Sequence, residues 1–149
     1  MTISDIISPE RISCNVEVTS KKAVLELLSD LLATSQVTLT SNAVFESLIA
    51  RERLGSTGIG HGVAIPHGRL DKIQSCVGAF LHLKESIAFD AIDNEPVDLF
   101  FALLVPEEST ETHLQLLAKL AEQFANKDFC NKLRLTNNQE ALYNLFADT

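Results

Sequence analysis

The residues of this chain best suited to chemistry lie in one glycine-rich window, residues 55–68. Five of the chain's six glycines fall in it, and it reads Gly-Ser-Thr-Gly-Ile-Gly-His-Gly-Val-Ala-Ile-Pro-His-Gly. Between Arg53 and Arg69 there is no Lys, Arg, Asp or Glu, so the window is not a solvated charged loop. Glycine lets a backbone approach a ligand closely, and consecutive N–H groups in such a turn form a concave anion site. The window therefore predicts a site for a small anion.

His67 is the side chain best placed to react with such an anion. Pro66 restricts the backbone on one side of it, and Gly68 leaves the other side uncovered. An ordinary imidazole has a pKa of about 6.5, so much of it is neutral in a cell. The neutral ring carries a lone pair that can attack phosphorus. The residues alone leave two interpretations open, a nucleophile or a packed structural histidine.

Other candidates have both a functional and a structural interpretation. His113 lies in the first turn of a predicted helix, where it would either face an anion or bond to Thr110 or water. Arg51 lies in the last turn of another helix, where it complements the helix dipole or binds phosphate. His61 could contact the ligand or point to solvent, whereas His82 is predicted to be a packed strand residue.

Several well-known sites are excluded by spacing. The segment Gly55–Gly58 is not followed by Gly-Lys-Ser/Thr, and Gly58–Gly62 lacks the third glycine of a dinucleotide fingerprint, so no nucleotide site is indicated. His61 and His67 lack the one-face spacing of a zinc helix, although a metal site combining them with His113 remains a minor alternative. We expect no cofactor and no resident metal.

Composition limits the class of protein. The 149 residues suffice for one domain, predicted to span residues 1–149, and 46% of them are hydrophobic. The three cysteines are widely spaced and support no disulfide framework. A formal net charge of −8 argues against nucleic acid or an anionic membrane surface as a partner. Without a signal-peptide pattern or an apolar run of ~20 residues, we expect no membrane insertion and a cytoplasmic location.

Hydrophobic periodicity predicts alternating helices and strands, and hence a single α/β domain whose mixed sheet has helices on both faces. The near-continuous apolar run 97–105 is typical of a strand covered on both sides. The predicted strands are 11–14, 63–65, 76–83, 86–89 and 97–105, and the predicted helices are 21–33, 42–53, one from Ser109 or Thr110 to about 124, and 139–146. The apolar faces expected to be buried are Val24, Leu27, Leu28 and Leu31; Val44, Phe45, Leu48 and Ile49; Leu114, Leu117, Ala118, Ala121 and Phe124; and Ala141, Leu142, Leu145 and Phe146.

The segment 51–68, from Arg-Glu-Arg-Leu-Gly-Ser-Thr-Gly to Ile-Pro-His-Gly, resembles the enzyme IIA components of the bacterial phosphoenolpyruvate-dependent sugar phosphotransferase system, mannitol/fructose type. The likeness continues through 87–94, 96–99, 101–106 and 112–114, and it covers roughly residues 5–148. It is greatest to the nitrogen-regulatory branch of that family. The family fold, a mixed sheet between helices, agrees with the architecture read from periodicity.

The resemblance implies specific roles. His67 matches the histidine that an HPr-like phosphocarrier phosphorylates at Nε2, and His113 matches a second histidine that hydrogen-bonds the phosphoryl group. Arg51 matches an arginine that neutralises phosphate charge, and the loop residues expected around the phosphate are Gly55, Ser56, Thr57, Gly58, Gly60 and Gly62. His61 departs from the family pattern, which leaves its contact with the phosphate open.

Three functions follow, in order of preference. The first is a phosphocarrier that signals to regulatory target proteins through its phosphorylation state. The second is a sugar-specific enzyme IIA that passes phosphate to a separate IIB component. The third is an anion- or metal-binding sensor that is never covalently modified.

Overall fold

A computed structural model describes residues 2–108 and 110–148, apart from the side chain of Thr110, and it shows a mixed six-stranded sheet between two layers of helices. The α/β prediction is confirmed. The strands are β1 (Ile12–Val16), β2 (Gly58–Gly60), β3 (Val63–Ala64), β4 (His67–Leu70), β5 (Val77–Ile87) and β6 (Val97–Pro106). The helices are α1 (Ile3–Ile6), α2 (Lys21–Ala33), α3 (Ser41–Glu52), α4 (Thr110–Phe124), α5 (Lys127–Leu135) and α6 (Gln139–Ala147), with a 3-10 turn at Pro9–Arg11.

Strand β6 organises the sheet. The main path runs β1, β5, β6, β3, β2, and β4 also pairs with β6. β5 is antiparallel to β6, whereas β3 and β4 are both parallel to it, with Val63 opposite Leu99 and His67 opposite Leu103. The short segment from β3 to β4 therefore runs alongside β6 and delivers His67 toward its carboxyl end.

Each face of the sheet has its own hydrophobic core. One core contains buried residues of α1, α4, α5 and α6, with Phe80 and Phe101 of the sheet among its aromatic rings. The other contains buried residues of α2 and α3 against Phe100 and Ala102. Eight of the ten residues of β6 are buried, which confirms that this strand is covered on both sides.

The predicted helices form, with changes in which residues they bury. α2 begins after its cap Ser20 and α3 after its cap Thr40, each capping side chain accepting a bond from the backbone. Ser109, one of the two residues at which α4 was predicted to begin, lies outside the described residues. The largest error concerns α4, because Leu114 is 64% exposed. Residues that contact the core less than predicted are Leu27, Leu31, Phe45, Ile49, Leu117, Ala121, Ala141 and Leu145, which are half-buried, and Ala118, which is exposed.

Four helices and strands were not predicted, namely α1, β2, β4 and α5, and neither was the 3-10 turn; two of the predicted strands form a single strand. β4 was not predicted because its sequence, His-Gly-Arg-Leu, lacks the apolar pattern of a strand. Helix α5 has the cap Asn126 and buries only Phe129, Cys130 and Leu133. The strands expected at 76–83 and 86–89 form the single strand β5, and β3 ends one residue earlier than predicted.

Gly68 allows α3 to pack directly against β4. A Cβ at this position would collide with the Oγ of Ser47 and lie 3.0 Å from the carbonyl carbon and oxygen of Ser47. Contacts that short force a neighbour to move, and the neighbour here includes helix backbone. Gly68 thus sets the distance between α3, which carries Arg51, and the strand that carries His67.

We expect Gly68→Ala to lower the free energy of unfolding by about 2 kcal/mol, the usual range for overpacking a close contact. Urea denaturation followed by circular dichroism measures this. Ser47→Ala removes the hydroxyl and its bond to the Arg69 carbonyl, but leaves the backbone contact. The double variant should therefore lose less than the sum of the two single losses, and strict additivity would show that the contact is not the cause.

Candidate functional site

His67 is held in one tautomer by the backbone that precedes it. Its Nδ1 lies 2.8 Å from the carbonyl oxygen of Ile65. Because a carbonyl oxygen only accepts hydrogen bonds, Nδ1 carries the proton in the neutral ring and donates it. The lone pair of the neutral imidazole is then on Nε2, which is the atom available to a reactant.

The His67 ring lies in the wall of a cavity of about 440 Å³ on the surface of the protein. Three elements meet there: α3, β4 and the first turn of α4. The lining residues are Ser47, Ala50, Arg51, Leu54, His67, Arg69 and His113. The three side chains singled out from the sequence as catalytic are therefore brought into one cavity, although 62 positions separate Arg51 from His113.

His113 faces His67 directly. The two ring centroids are 5.4 Å apart and the ring planes are nearly perpendicular, at 77°. His113 is buried, and no described group lies within hydrogen-bonding distance of its Nδ1. A neutral imidazole carries one N–H donor, so His113 has hydrogen-bonding capacity that the folded chain does not use.

Two arginines give the cavity its positive charge. Arg51 donates from Nη1 to the carbonyl of Gly55 at 2.8 Å, which fixes its guanidinium beside the end of α3. Arg69 donates from Nη1 to the carbonyl of Glu107 at 3.2 Å. Neither arginine forms a salt bridge among the residues described, so both charges remain available to an anion.

Sequence reasoning missed Arg69. It lies two residues after His67 in β4, and side chains two residues apart in a strand point to the same face. That spacing was a usable signal, but it depends on recognising His67–Leu70 as a strand.

Both histidines of the cavity favour the neutral form. Burial lowers the pKa of His67 below its ordinary value of 6.5, and the charges of Arg51 and Arg69 lower it further, while the Ile65 bond and Glu52 oppose the shift. Burial also lowers the pKa of His113, as do its electrostatic interactions with His67 and the two arginines. The site thus combines a neutral nucleophile with fixed positive charge.

The pKa shifts predict that the protein loses stability in mild acid. Burial also lowers the pKa of His82, so three imidazoles stay neutral in the folded chain where the unfolded chain binds protons. As the pH falls below 6.5, the unfolded chain binds protons that the folded chain does not yet bind, because the pKa values of these histidines are lower in the folded chain. This difference stabilises the unfolded state relative to the folded one. The free energy of unfolding should fall there by up to about 1.4 kcal/mol per pH unit for each histidine.

Urea unfolding at a series of pH values between about 5 and 7 measures this slope, and carboxylates titrate mostly below that window. His67→Gln should reduce the slope because one of the three groups is removed. Stability that does not change across the window would contradict the shifts.

The glycine-rich window does not surround His67. Only its last two residues contribute near the cavity, His67 in the lining and Gly68 behind it against α3. None of the loop residues expected around a phosphate, Gly55, Ser56, Thr57, Gly58, Gly60 and Gly62, is among the lining residues. Their contacts lie within the protein instead.

The N–H and hydroxyl groups of that loop are engaged by nearby side chains and backbone. Glu52, itself buried, accepts the backbone N–H of Thr57 at 3.0 Å and its hydroxyl at 2.6 Å. Ser56 accepts the N–H of Gly58 and donates its hydroxyl to the carbonyl of Phe89. The loop is therefore a packed hairpin rather than an open ring of donors.

Gly62 makes room for an ion pair. Its φ is +79°, and a Cβ there would lie 2.5 Å from Nη2 of Arg134 and 3.0 Å from Oδ1 of Asp98. Arg134 binds both carboxylate oxygens of Asp98 and also donates to the carbonyl of His61 at 3.0 Å. Asp98 and Leu99 both donate their backbone N–H to the carbonyl of Gly62, which holds this part of β6 beside the turn between β2 and β3.

The remaining two histidines lie away from His67. His61 has a left-handed backbone with φ 58°, its N–H donates to Asp93, and its side chain is exposed and lines a different cavity. His82 is buried in β5 with its Nε2 3.8 Å from Oδ2 of Asp98, as expected of a packed strand residue. Across the described positions, no three His, Cys, Asp or Glu side chains are grouped as metal ligands.

Comparison with known proteins places the chain in a family. The family model described as "Phosphoenolpyruvate-dependent sugar phosphotransferase system, EIIA 2" matches residues 5–149. The chain belongs to this family. No helix among the described residues has the length and apolar character to cross a membrane.

Several full-length relatives are nitrogen regulatory proteins. The chain is 46% identical to the "Nitrogen regulatory protein" of Escherichia coli K12, over all of this chain and 91% of that protein. The crystal structure of "Nitrogen Regulatory Protein IIA-Ntr from Neisseria meningitidis" superposes with a TM-score of 0.91 at 42% identity and covers 97% of this chain and 98% of that one. The IIA mannitol structure of E. coli shares the fold, with a TM-score of 0.78 at 18% identity over 93% of this chain and 97% of that one.

Proposed function

We propose that this protein is a phosphocarrier in which His67 accepts a phosphoryl group from a phosphohistidine of an HPr-like protein and whose phosphorylation state signals to regulatory partners. One observation carries the proposal: the free Nε2 of a neutral imidazole lies in a cavity lined by two uncompensated guanidiniums and a second histidine. Membership of the nitrogen-regulatory branch supports the signalling role over sugar uptake.

The transfer is an in-line displacement between two imidazoles. The lone pair on Nε2 of His67 forms the new N–P bond while the N–P bond of the donor breaks and its electron pair returns to the donor ring. The proton on Nδ1 of His67 stays on the ring and keeps its hydrogen bond to the Ile65 carbonyl. This bond stabilises the positive charge that the ring gains. The chain supplies no further covalent chemistry.

The cavity stabilises the charge that spreads over the three equatorial oxygens of the transferring group. Arg51 and Arg69 supply fixed positive charge, and His113 supplies a neutral N–H donor. Hydrogen bonds to charged groups contribute about 1.5–3 kcal/mol each. Positioning and preorganised charge are therefore the whole catalytic contribution, and no metal is needed for the step.

Incubation with enzyme I, an HPr-like carrier and phosphoenolpyruvate tests the proposal. Intact mass spectrometry should show a gain of one phosphate that is lost in acid and kept in alkali, as a phosphohistidine requires. A mass that does not change would favour the anion-binding sensor instead.

A sugar-specific enzyme IIA remains the second candidate. A relative described as "PTS system fructose-specific EIIA component" from Haloferax volcanii is 32% identical over 98% of this chain. The phosphorylated protein should be mixed with purified fructose- and mannitol-type IIB domains. Rapid transfer of the label to one of them would favour sugar uptake, and retention of the label would favour the regulatory role.

A further inference from the structure

A second cavity, of about 250 Å³, lies between α5 and the turn that joins β2 to β3. It is remote from His67, because β3 pairs at Leu99 of β6 and β4 at Leu103, a separation of about 13 Å along the strand. Its lining residues are His61, Phe124, Ala125, Lys127, Cys130, Asn131 and Arg134. None of these lines the His67 cavity. We propose that this second cavity binds a small organic carboxylate.

Arg134 provides the main reason for expecting an anion. Its Nε and Nη2 are occupied by Asp98 and by the carbonyl of His61. Within residues 2–108 and 110–148, its Nη1 donates no hydrogen bond. The guanidinium is thus held in place through Nε and Nη2, while the N–H donors of Nη1 remain unused. Because the group is already immobilised, binding an oxyanion at Nη1 has a lower entropic cost.

The rest of the lining favours negative charge as well. Lys127 adds a positive charge, and Asn131 adds amide donors. No carboxylate is among the described lining residues, since Asp98 binds Arg134 by the edge that carries Nε and Nη2. This is unusual in a chain whose formal net charge is −8. The ammonium of Lys127 and the unused Nη1 donors of Arg134 therefore complement an anionic ligand.

The apolar part of the lining indicates that the ligand carries an apolar group as well as a negative charge. The buried ring of Phe124 and the methyl group of Ala125 form this part. The thiol of Cys130 already donates to the carbonyl of Phe124, so it adds sulfur surface rather than a free donor. A carboxylate on a compact apolar body satisfies both halves of the cavity, which inorganic phosphate does not.

Benzoate is a suitable probe, with inorganic phosphate and the uncharged benzyl alcohol for comparison. In an NMR titration of the isotopically labelled full chain, benzoate should cause saturable shifts of the Arg134 Nε–H and of the Lys127 and Asn131 amides. Benzyl alcohol and phosphate should bind much more weakly. Equal shifts with phosphate, or no saturation with benzoate, would overturn the proposal.

Variants separate this cavity from the His67 site. Lys127→Gln should weaken benzoate binding by up to about fivefold, the usual limit for an exposed charge pair. Asn131→Asp places a carboxylate in the cavity and should abolish saturable binding. Lys72→Gln, at an exposed position in another part of the fold, and His67→Ala should leave the affinity unchanged. Binding that is lost in His67→Ala but kept in Asn131→Asp would assign the probe to the other cavity and refute the proposal.

Discussion

Replacing His67 with alanine should abolish phosphoryl acceptance completely. The variant has no Nε2 lone pair, and of the other nucleophilic side chains that line the cavity, the ring of His113 is buried and the hydroxyl of Ser47 donates to the carbonyl of Arg69. The two arginines remain and could still bind an anion, but binding without a nucleophile gives no N–P bond. Intact mass spectrometry after incubation with enzyme I, HPr-like carrier and phosphoenolpyruvate should show only the unmodified protein.

His61→Ala is the matched control for this variant. It removes an exposed imidazole that lies six positions earlier in the chain and lines the other cavity. It should accept phosphate at the normal rate, and both variants should be checked for folding by circular dichroism. Undiminished labelling of His67→Ala, or loss of labelling in His61→Ala, would refute the assignment of the acceptor.

Strong periodicity allowed most of the fold to be predicted from the sequence. The apolar spacing within 21–33 and 42–53 and the apolar run 97–105 predicted two helices and the central strand correctly. α5 was missed because it spans only nine residues, too few for the spacing of its three buried residues to repeat along the helix.

The reason for the glycine clustering could not be read from the sequence. The clustered glycines suggested an open anion site, but three of them make room for neighbours within the fold. Gly58 makes room for Ala91, Gly62 for the Arg134–Asp98 pair, and Gly68 for α3. These partners lie 21 to 72 positions away along the chain, so only the folded structure identifies them.

The geometry of the candidate site around His67 was partly predictable from the sequence. The family resemblance assigned His67, His113 and Arg51, and the structure brings these three into one cavity. Arg69 required the strand register, because its alignment with His67 depends on both residues pairing with β6. The tautomer of His67 could be assigned only from the position of the Ile65 carbonyl, and the residue types do not determine where that carbonyl points.

His113→Ala should slow phosphorylation of His67 by about 10²-fold, the usual cost of removing one preorganised donor to a developing oxyanion. The label should still map to His67, because His113 lies 5.4 Å from it between ring centroids and is assigned to assist rather than to accept. Initial rates at a series of donor concentrations should show the loss mainly in kcat.

Two further variants serve as controls for the role of His113. His113→Gln keeps an N–H donor and should recover part of the rate, whereas a merely structural role would make both variants similar. Leu114→Ala alters the exposed neighbour on the same turn and should leave the chemical step unaffected. An unchanged rate in His113→Ala would mean that the unused donor of His113 does not reach the phosphoryl group.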